Sequence, residues 1–516
     1  MSSQSSDSSS TDVPPTVTAL VLKPSGEREV VEEAKALEFV AEWTQQLESH
    51  ALLHSPDFGD VQTIELVLSD KSYTAEAAKC IAAFLEPLAP RIVRADLSDI
   101  IASRMEEEGL QVLETICNSL REANLLEVNL SDNAMGNKGI LACAAVLGGQ
   151  AHSLEALSMC NNGLSEHSME QIADILTTPI LDDDDETTNN GRPCMATRLT
   201  KLHFYNNMSG NGGCNAFARI LSQCTSELRD LRYSSTRAGR EGSLMIASAL
   251  DGLCPSTADG GGENNKDNGL IYLERLDLAD NSFGSEAAVS LSRALARCVH
   301  LKYLNLRDCI LEDGGTQLVC HALWCNDAPV EHLDLSGNDI TKRGAKSLAE
   351  LMDENPGTLR VLHAEENEMT SIGIRKIARA IYVQEKNTGS SSLVELRLGH
   401  NECGKIGASA LVDAFGAGGE GMPLLQSIDL DGNGFLPEDV ETLEAAFGDK
   451  LGPMEDNVDD EDADENLDPD DFDEDEDDDD DDKDSVEHAT DQVKTSTDVD
   501  AITESIAKGL HIDGLC

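Results

Sequence analysis

Along residues 61–450 the apolar positions follow one recurring motif, L-x-x-L-x-L-x-x-N, and each copy precedes a stretch of helical spacing. Clear copies are LLEVNLSDN ending at Asn133, LEALSMCNN at Asn162, LERLDLADN at Asn281, VEHLDLSGN at Asn338, LVELRLGHN at Asn401 and LQSIDLDGN at Asn433. Weaker copies put Ser69, Ile100, Asn207, Thr236, Cys309 and Asn367 at the same closing position, which makes twelve units. Alternation within L-x-L sends the two apolar side chains to one face and the middle residue to the other, so each motif predicts a short strand. The closing Asn can bond backbone groups of the turn that leaves the strand, which a buried turn requires. The segments in between read as helices. After residue 134, for example, Ile140, Ala144 and Leu147 fall on one face.

Closing positions are 28 to 34 residues apart, except for two steps of 45. Each long step holds a polar insertion, 181–193 and 255–269, too poor in apolar residues to order itself and so expected as a loop. One strand and one full helix in roughly 28–29 residues is the long, ribonuclease-inhibitor-like type of leucine-rich repeat. The expected fold is therefore an α/β crescent, with parallel strands on the concave side and helices on the convex side. The middle residues Asp96, Asn129, Ser158, His203, Asp277, Asn305 and Asp334 should then face the concave groove. Such arrays need capped ends. A helix over 27–48 with Val30, Ala34, Leu37 and Ala41 on one face predicts the first cap, and Val440, Leu443 and Phe447 predict a last helix stopped near Gly448. The chain divides into a disordered N-terminus (1–26), an N-terminal cap (27–60), the repeat domain (61–450), an acidic disordered tail (451–484) and a C-terminal tail (485–516). The last carries a short amphipathic stretch at Val499, Ile502, Ile506 and Leu510, either a solvated tail or a docking helix.

Charge narrows the partners. The net charge is −59 on 516 residues, and residues 455–484 alone hold 22 Asp or Glu against one Lys. Nucleic acid and anionic membrane surfaces would be repelled, whereas a basic protein is compatible. Aromatic residues are 3%, so the core must be aliphatic. The 14 Cys form no CxxC pair, the 12 His show no metal-ligand spacing and no secretory leader is visible, which together suggest reduced thiols in cytosol or nucleus. Gly399–Lys405 fits the first seven positions of a phosphate-binding loop, but Ile406 stands where Ser or Thr would hold magnesium, and the stretch coincides with the turn at Asn401. Without catalytic signatures, the array reads as a protein-binding surface.

Three off-consensus segments go further: ADLSDIIASR ending at Arg104, NLSDNAMG ending at Gly136, and FYNNMSG (204–210) followed by LRYSSTRAG (231–239). With the acidic stretch beyond the last repeat, they resemble the Ran GTPase-activating proteins, in particular the plant-type branch. The resemblance implies an activator that is not itself an enzyme. It would dock the GTP form of the small GTPase Ran on one rim and the concave edge, with or without a Ran-binding protein. It would need no cofactor of its own, because GTP and magnesium belong to the partner, and would act as a monomer. It would be cytoplasmic, or held at the cytoplasmic face of the nuclear envelope, and would support nucleocytoplasmic transport. The family's key asparagine falls on Asn207, whose carboxamide would orient Ran's catalytic glutamine, and its motif arginine falls on Arg104. Asp132, Asn133 and Asp280 would meet basic residues of Ran, although Asn133 and Asn207 are equally placed for the repeat's own turn. This chain departs from the family at Ser103, where Gly is usual, and lacks the N-terminal Trp-Pro-Pro signature of plant members. The alternative is an acidic leucine-rich repeat scaffold for a basic protein such as a histone.

Overall fold

In the computed structural model the described residues are 19–49, 63–180, 193–253, 270–354, 357–388, 391–415, 423–460 and 463–464. The polar insertions (apart from Pro193), most of the acidic tail and the amphipathic stretch at Val499–Leu510 lie outside them. The chain forms two compact units, one of residues 1–133 with 141–154, the other of 134–140 with 155–516.

In the first unit the strands Leu20–Leu22, Ile64–Val67, Ile92–Asp96 and Glu127–Asn129 pair in parallel in chain order. The helices Glu33–Ser49, Ala75–Leu85 and Glu106–Ser119 pack in sequence beside them. Three expectations change here. The segment 1–26 is not wholly without structure, because Leu20–Leu22 extends the sheet beside Ile64–Leu66 and Leu22 is fully buried. The cap helix starts at Glu33 and buries Ala36, Phe39, Trp43 and Leu47, while Leu37 is 53% exposed and Ala34 and Ala41 face solvent. Val30 lies in a separate small strand, Glu29–Val31, paired with Lys71–Tyr73. Both apolar sets have helical spacing, but the aromatic one has far more area to bury, about 150–250 Å² for each ring, and so takes the inner face. The third change concerns the first repeat. Its closing position is Lys71 and not Ser69. Asp70 takes the left-handed backbone that precedes the closing residue in the later repeats (φ 62°), and Lys71 is buried. The Lys71 ammonium bonds the Glu27 carbonyl and, at 3.2 Å, Glu29 Oε1.

Among the described residues the second unit holds nine parallel strands, each hydrogen-bonded to the next in chain order: Ala156–Ser158, Lys201–His203, Asp230–Arg232, Arg275–Asp277, Tyr303–Asn305, His332–Asp334, Val361–His363, Glu395–Arg397 and Ser427–Asp429. The register is strict, so Leu202, Leu231, Leu276, Leu304, Leu333, Leu362, Leu396 and Ile428 form one row, all buried. Helices from Glu166–Thr177 to Pro437–Phe447 follow the strands, and successive helices pack on each other. This is a leucine-rich repeat fold of the strand-plus-full-helix kind. The last helix buries Leu443 and Phe447 and ends at Gly448, as the sequence predicts. The start of the acidic segment is docked on the last repeat. Gly452 N–H donates to the Ile428 carbonyl (2.8 Å), and Asn457 both accepts from Phe435 N–H (3.0 Å) and donates to its carbonyl (2.9 Å).

Candidate functional site

The buried asparagines explain how the turns are built. In Asn207, Asn281, Asn338, Asn367 and Asn433, Oδ1 accepts backbone N–H groups of the preceding repeat and Nδ2 donates to carbonyls of both repeats. Asn338 takes Cys309 N–H and Leu311 N–H, each at 3.1 Å, and gives to the Leu306 and Leu335 carbonyls. Asn207 does the same. Its Oδ1 accepts from Asn162 N–H (3.1 Å) and Leu164 N–H (3.2 Å), while Nδ2 donates to the carbonyls of Met159 (3.0 Å), Phe204 and Tyr205 (3.3 Å each). Asn133 bonds Ile100 N–H and the carbonyls of Leu97, Leu130 and Ser131. Both side chains are 1% exposed. In this geometry the Asn207 carboxamide has no atom to offer a partner, and Asn133 likewise faces inward. Each acts by holding the turn that precedes it.

What those turns display is the residue immediately before each closing position. Asp99, Asp132, Asn161, Asn206, Ser235, Asp280, Asp308, Glu366 and His400 all have φ between 52° and 61°. Asp and Asn tolerate this left-handed conformation because a short polar side chain can bond locally. Asp132, Asn206 and Asp280 are exposed. Asn206 is the residue that sequence reasoning passed over. Its Nδ2 donates to Asn161 Oδ1 at 2.9 Å, its Oδ1 accepts nothing among the described residues, and Met208 beside it is 58% exposed. The doubled Asn in FYNNMSG thus holds one displayed and one buried member.

Arg104 belongs to the first unit with Asp132 and Asn133, whereas Asn207 and Asp280 belong to the second. The Arg104 side chain is 16% exposed, faces Glu108 at 3.7 Å, and has a buried Nε without a hydrogen-bond partner. Ser103 before it adopts φ 60°, which accounts for the glycine usual in the resembling family. Asp99 pairs with Arg28 at 2.7 Å. Burial, together with Asp132 and Asp70, still pushes its carboxyl above the usual range against the pull of Arg28.

On the sheet face of the second unit the strand residues interlock. Asp277, expected to stand open, is 1% exposed because Arg232 covers it at 3.0 Å and Arg275 at 3.8 Å. Ser158 and Asp334 are also buried there. His203 meets Asp230 at 2.7 Å, and the guanidinium groups of Arg232 and Arg275 lie over the rings of Tyr205 (3.7 Å) and Tyr303 (3.6 Å). The Gly399–Lys405 stretch is an ordinary repeat turn, with Asn401 bonding the Ala364, Leu398 and Gly399 carbonyls before the helix Lys405–Phe415.

The leucine-rich repeat family model matches residues 123–142, 269–292 and 327–349. The chain is 42% identical over 89 residues to RAN GTPase-activating protein 1 of Arabidopsis thaliana, covering 17% of this chain and 16% of that protein. It is 36% identical over 83 residues to RAN GTPase-activating protein 2 of the same plant, covering 16% and 15%. It is 26% identical over 324 residues to the ribonuclease inhibitor of Sus scrofa, covering 62% of this chain and 61% of that one. The chain thus spans less than two thirds of each of these relatives.

Proposed function

We propose that this protein accelerates GTP hydrolysis by the small GTPase Ran, acting on the cytoplasmic side in support of nucleocytoplasmic transport. The observation that carries this reading is the 42% identity over 89 residues to a plant RAN GTPase-activating protein, against 26% to a ribonuclease inhibitor. Each unit displays polar turn residues suited to such a role, Asp132 in the first and Asn206 and Asp280 in the second. Asp132 and Asp280 are carboxylates for basic residues of the partner, and Asn206 presents an amide that can both donate and accept. Phosphoryl transfer depends mainly on positioning and charge stabilisation, so groups supplied from outside the GTPase are worth about 10³–10⁵ in rate. In this scheme Asn206 orients the partner's water-positioning glutamine. Asn207 is a positioning residue that fixes the turn next to it, and Arg104 exchanges Glu108 for the partner's nucleotide-binding loop. GTP and magnesium stay with Ran.

Single-turnover hydrolysis of Ran-bound GTP, with and without stoichiometric protein, tests this. The expected result is acceleration in its presence; an unchanged rate rejects the activator reading in favour of the acidic repeat scaffold.

A further inference from the structure

His332 and Asp334 lie two apart on one strand and so project from the same face of the sheet. His363 is the register partner of Asp334 on the next strand. One ligating atom from each of the three comes within 4.8 Å of the others, and among the described residues no other group of this kind forms. The geometry points to a binding site for a divalent transition-metal ion of the zinc class, held by His332, Asp334 and His363, with its remaining position open to water.

Three features favour this over an ion-pair ladder alone. First, the outer contacts already aim the ligands. His363 Nδ1 lies 3.6 Å from Asp334 Oδ2, close to the separation of about 3.3 Å that two ligands take around a tetrahedral zinc. The other nitrogen of His363, Nε2, is bonded to Glu395 Oε1 at 3.0 Å, and Glu395 also accepts from Arg397 Nε at 2.7 Å. A carboxylate behind a ligating imidazole fixes its tautomer and raises its basicity. Asp334 Oδ1 accepts from Ser336 N–H at 3.0 Å, which leaves Oδ2 for the ion.

Second, His332 has no hydrogen-bond partner for either ring nitrogen among the described residues. Its ring is held instead by stacking on Tyr303, centroids 4.4 Å apart. Third, the charges are suitable. One carboxylate among the ligands, with Glu395 and Glu365 close behind, offsets a dication, while Arg307 and Arg397 are engaged by acidic side chains. Two imidazoles and one carboxylate suit zinc, cobalt or nickel better than calcium or magnesium.

Cobalt(II) is the probe. Full-length protein stripped by chelator should bind one equivalent with a visible absorption band of nitrogen–oxygen ligation, and zinc should displace it. His332→Gln should weaken this binding at least tenfold. It should leave the Asp334–His363–Glu395 chain in place, since that chain does not include the ring, and shift the metal-free melting temperature only by the loss of the Tyr303 stacking contact. Glu395→Gln, which removes the carboxylate behind His363, should weaken binding about tenfold. The proposal is overturned if no saturable one-equivalent binding is seen. It is equally overturned if His332→Gln and Asp334→Asn both bind cobalt like the wild type, which would move the ion to the acidic stretch, or if thiolate charge-transfer bands dominate.

Discussion

Two neighbouring asparagines do opposite things, and the difference yields the sharpest residue-level prediction. Asn207 spends five backbone hydrogen bonds at the end of a repeat, while Asn206 faces solvent one residue earlier. Asn206→Ala should slow the stimulated hydrolysis of Ran-bound GTP by at least tenfold, about 1.4 kcal/mol of barrier, with the melting temperature unchanged. Asn207→Ala should lower the melting temperature, because each buried N–H or carbonyl left unpaired costs about 1–3 kcal/mol. Any loss of activity should follow that loss of structure. If Asn207→Ala melts like the wild type but is inactive, the side chain itself is needed and the assignment to Asn206 fails. Ser103 offers a second test. At φ 60° a side chain is strained and a glycine is not. Ser103→Gly should therefore stabilise the first unit by about 0.5–1 kcal/mol, read from thermal or denaturant unfolding. These distinctions were only half legible in the sequence. The closing Asn announces its buried role by its place in the motif. The left-handed residue before it has no single identity, being Asp, Asn, Ser, Glu, His or Gly, so spacing alone could not show that it is the one displayed.

At the scale of the element, strands and helices of the central repeats were readable because two periods coincide: alternation over L-x-L and helical spacing after it. Where only one period operates, phase becomes ambiguous. The cap helix Glu33–Ser49 carries two apolar sets, and the one containing Trp43 lies inside, with Trp43 Nε1 donating to the Lys23 carbonyl at 3.1 Å. Trp43→Ala should cost about 3–5 kcal/mol, while Leu37→Ala, at a half-exposed position, should stay within about 0.5 kcal/mol. Urea unfolding of the two variants decides it, and a larger loss for Leu37→Ala than for Trp43→Ala would mean the helix sits the other way round. Lys71 was unreadable for a different reason. A lysine closes a repeat only if something distant satisfies its ammonium, and here the Glu27 carbonyl and Glu29 do so from the preceding segment. No local pattern contains that information.

At the scale of the molecule, the relevant quantity is the charge. Of the net −59, −21 falls in residues 455–484, leaving −38 on the rest of the chain. Exposed charges, including paired ones such as Lys302 with Glu274 and Lys405 with Glu438, add little stability. Their field acts on approach. A basic GTPase should be drawn in faster than diffusion alone allows, and the effect should shrink as salt shortens the screening length, from about 30 Å at 0.01 M to about 10 Å at 0.1 M. Stopped-flow association of the full-length protein with GTP-loaded Ran should slow by at least tenfold between those ionic strengths, with the dissociation rate changing much less. That split follows from screening: charges that act through solvent lose reach as salt rises, whereas contacts buried on binding are screened less. An association rate indifferent to salt would remove steering from the mechanism and leave the acidic segment with its described contacts alone, the docking of Gly452 and Asn457 on the last repeat.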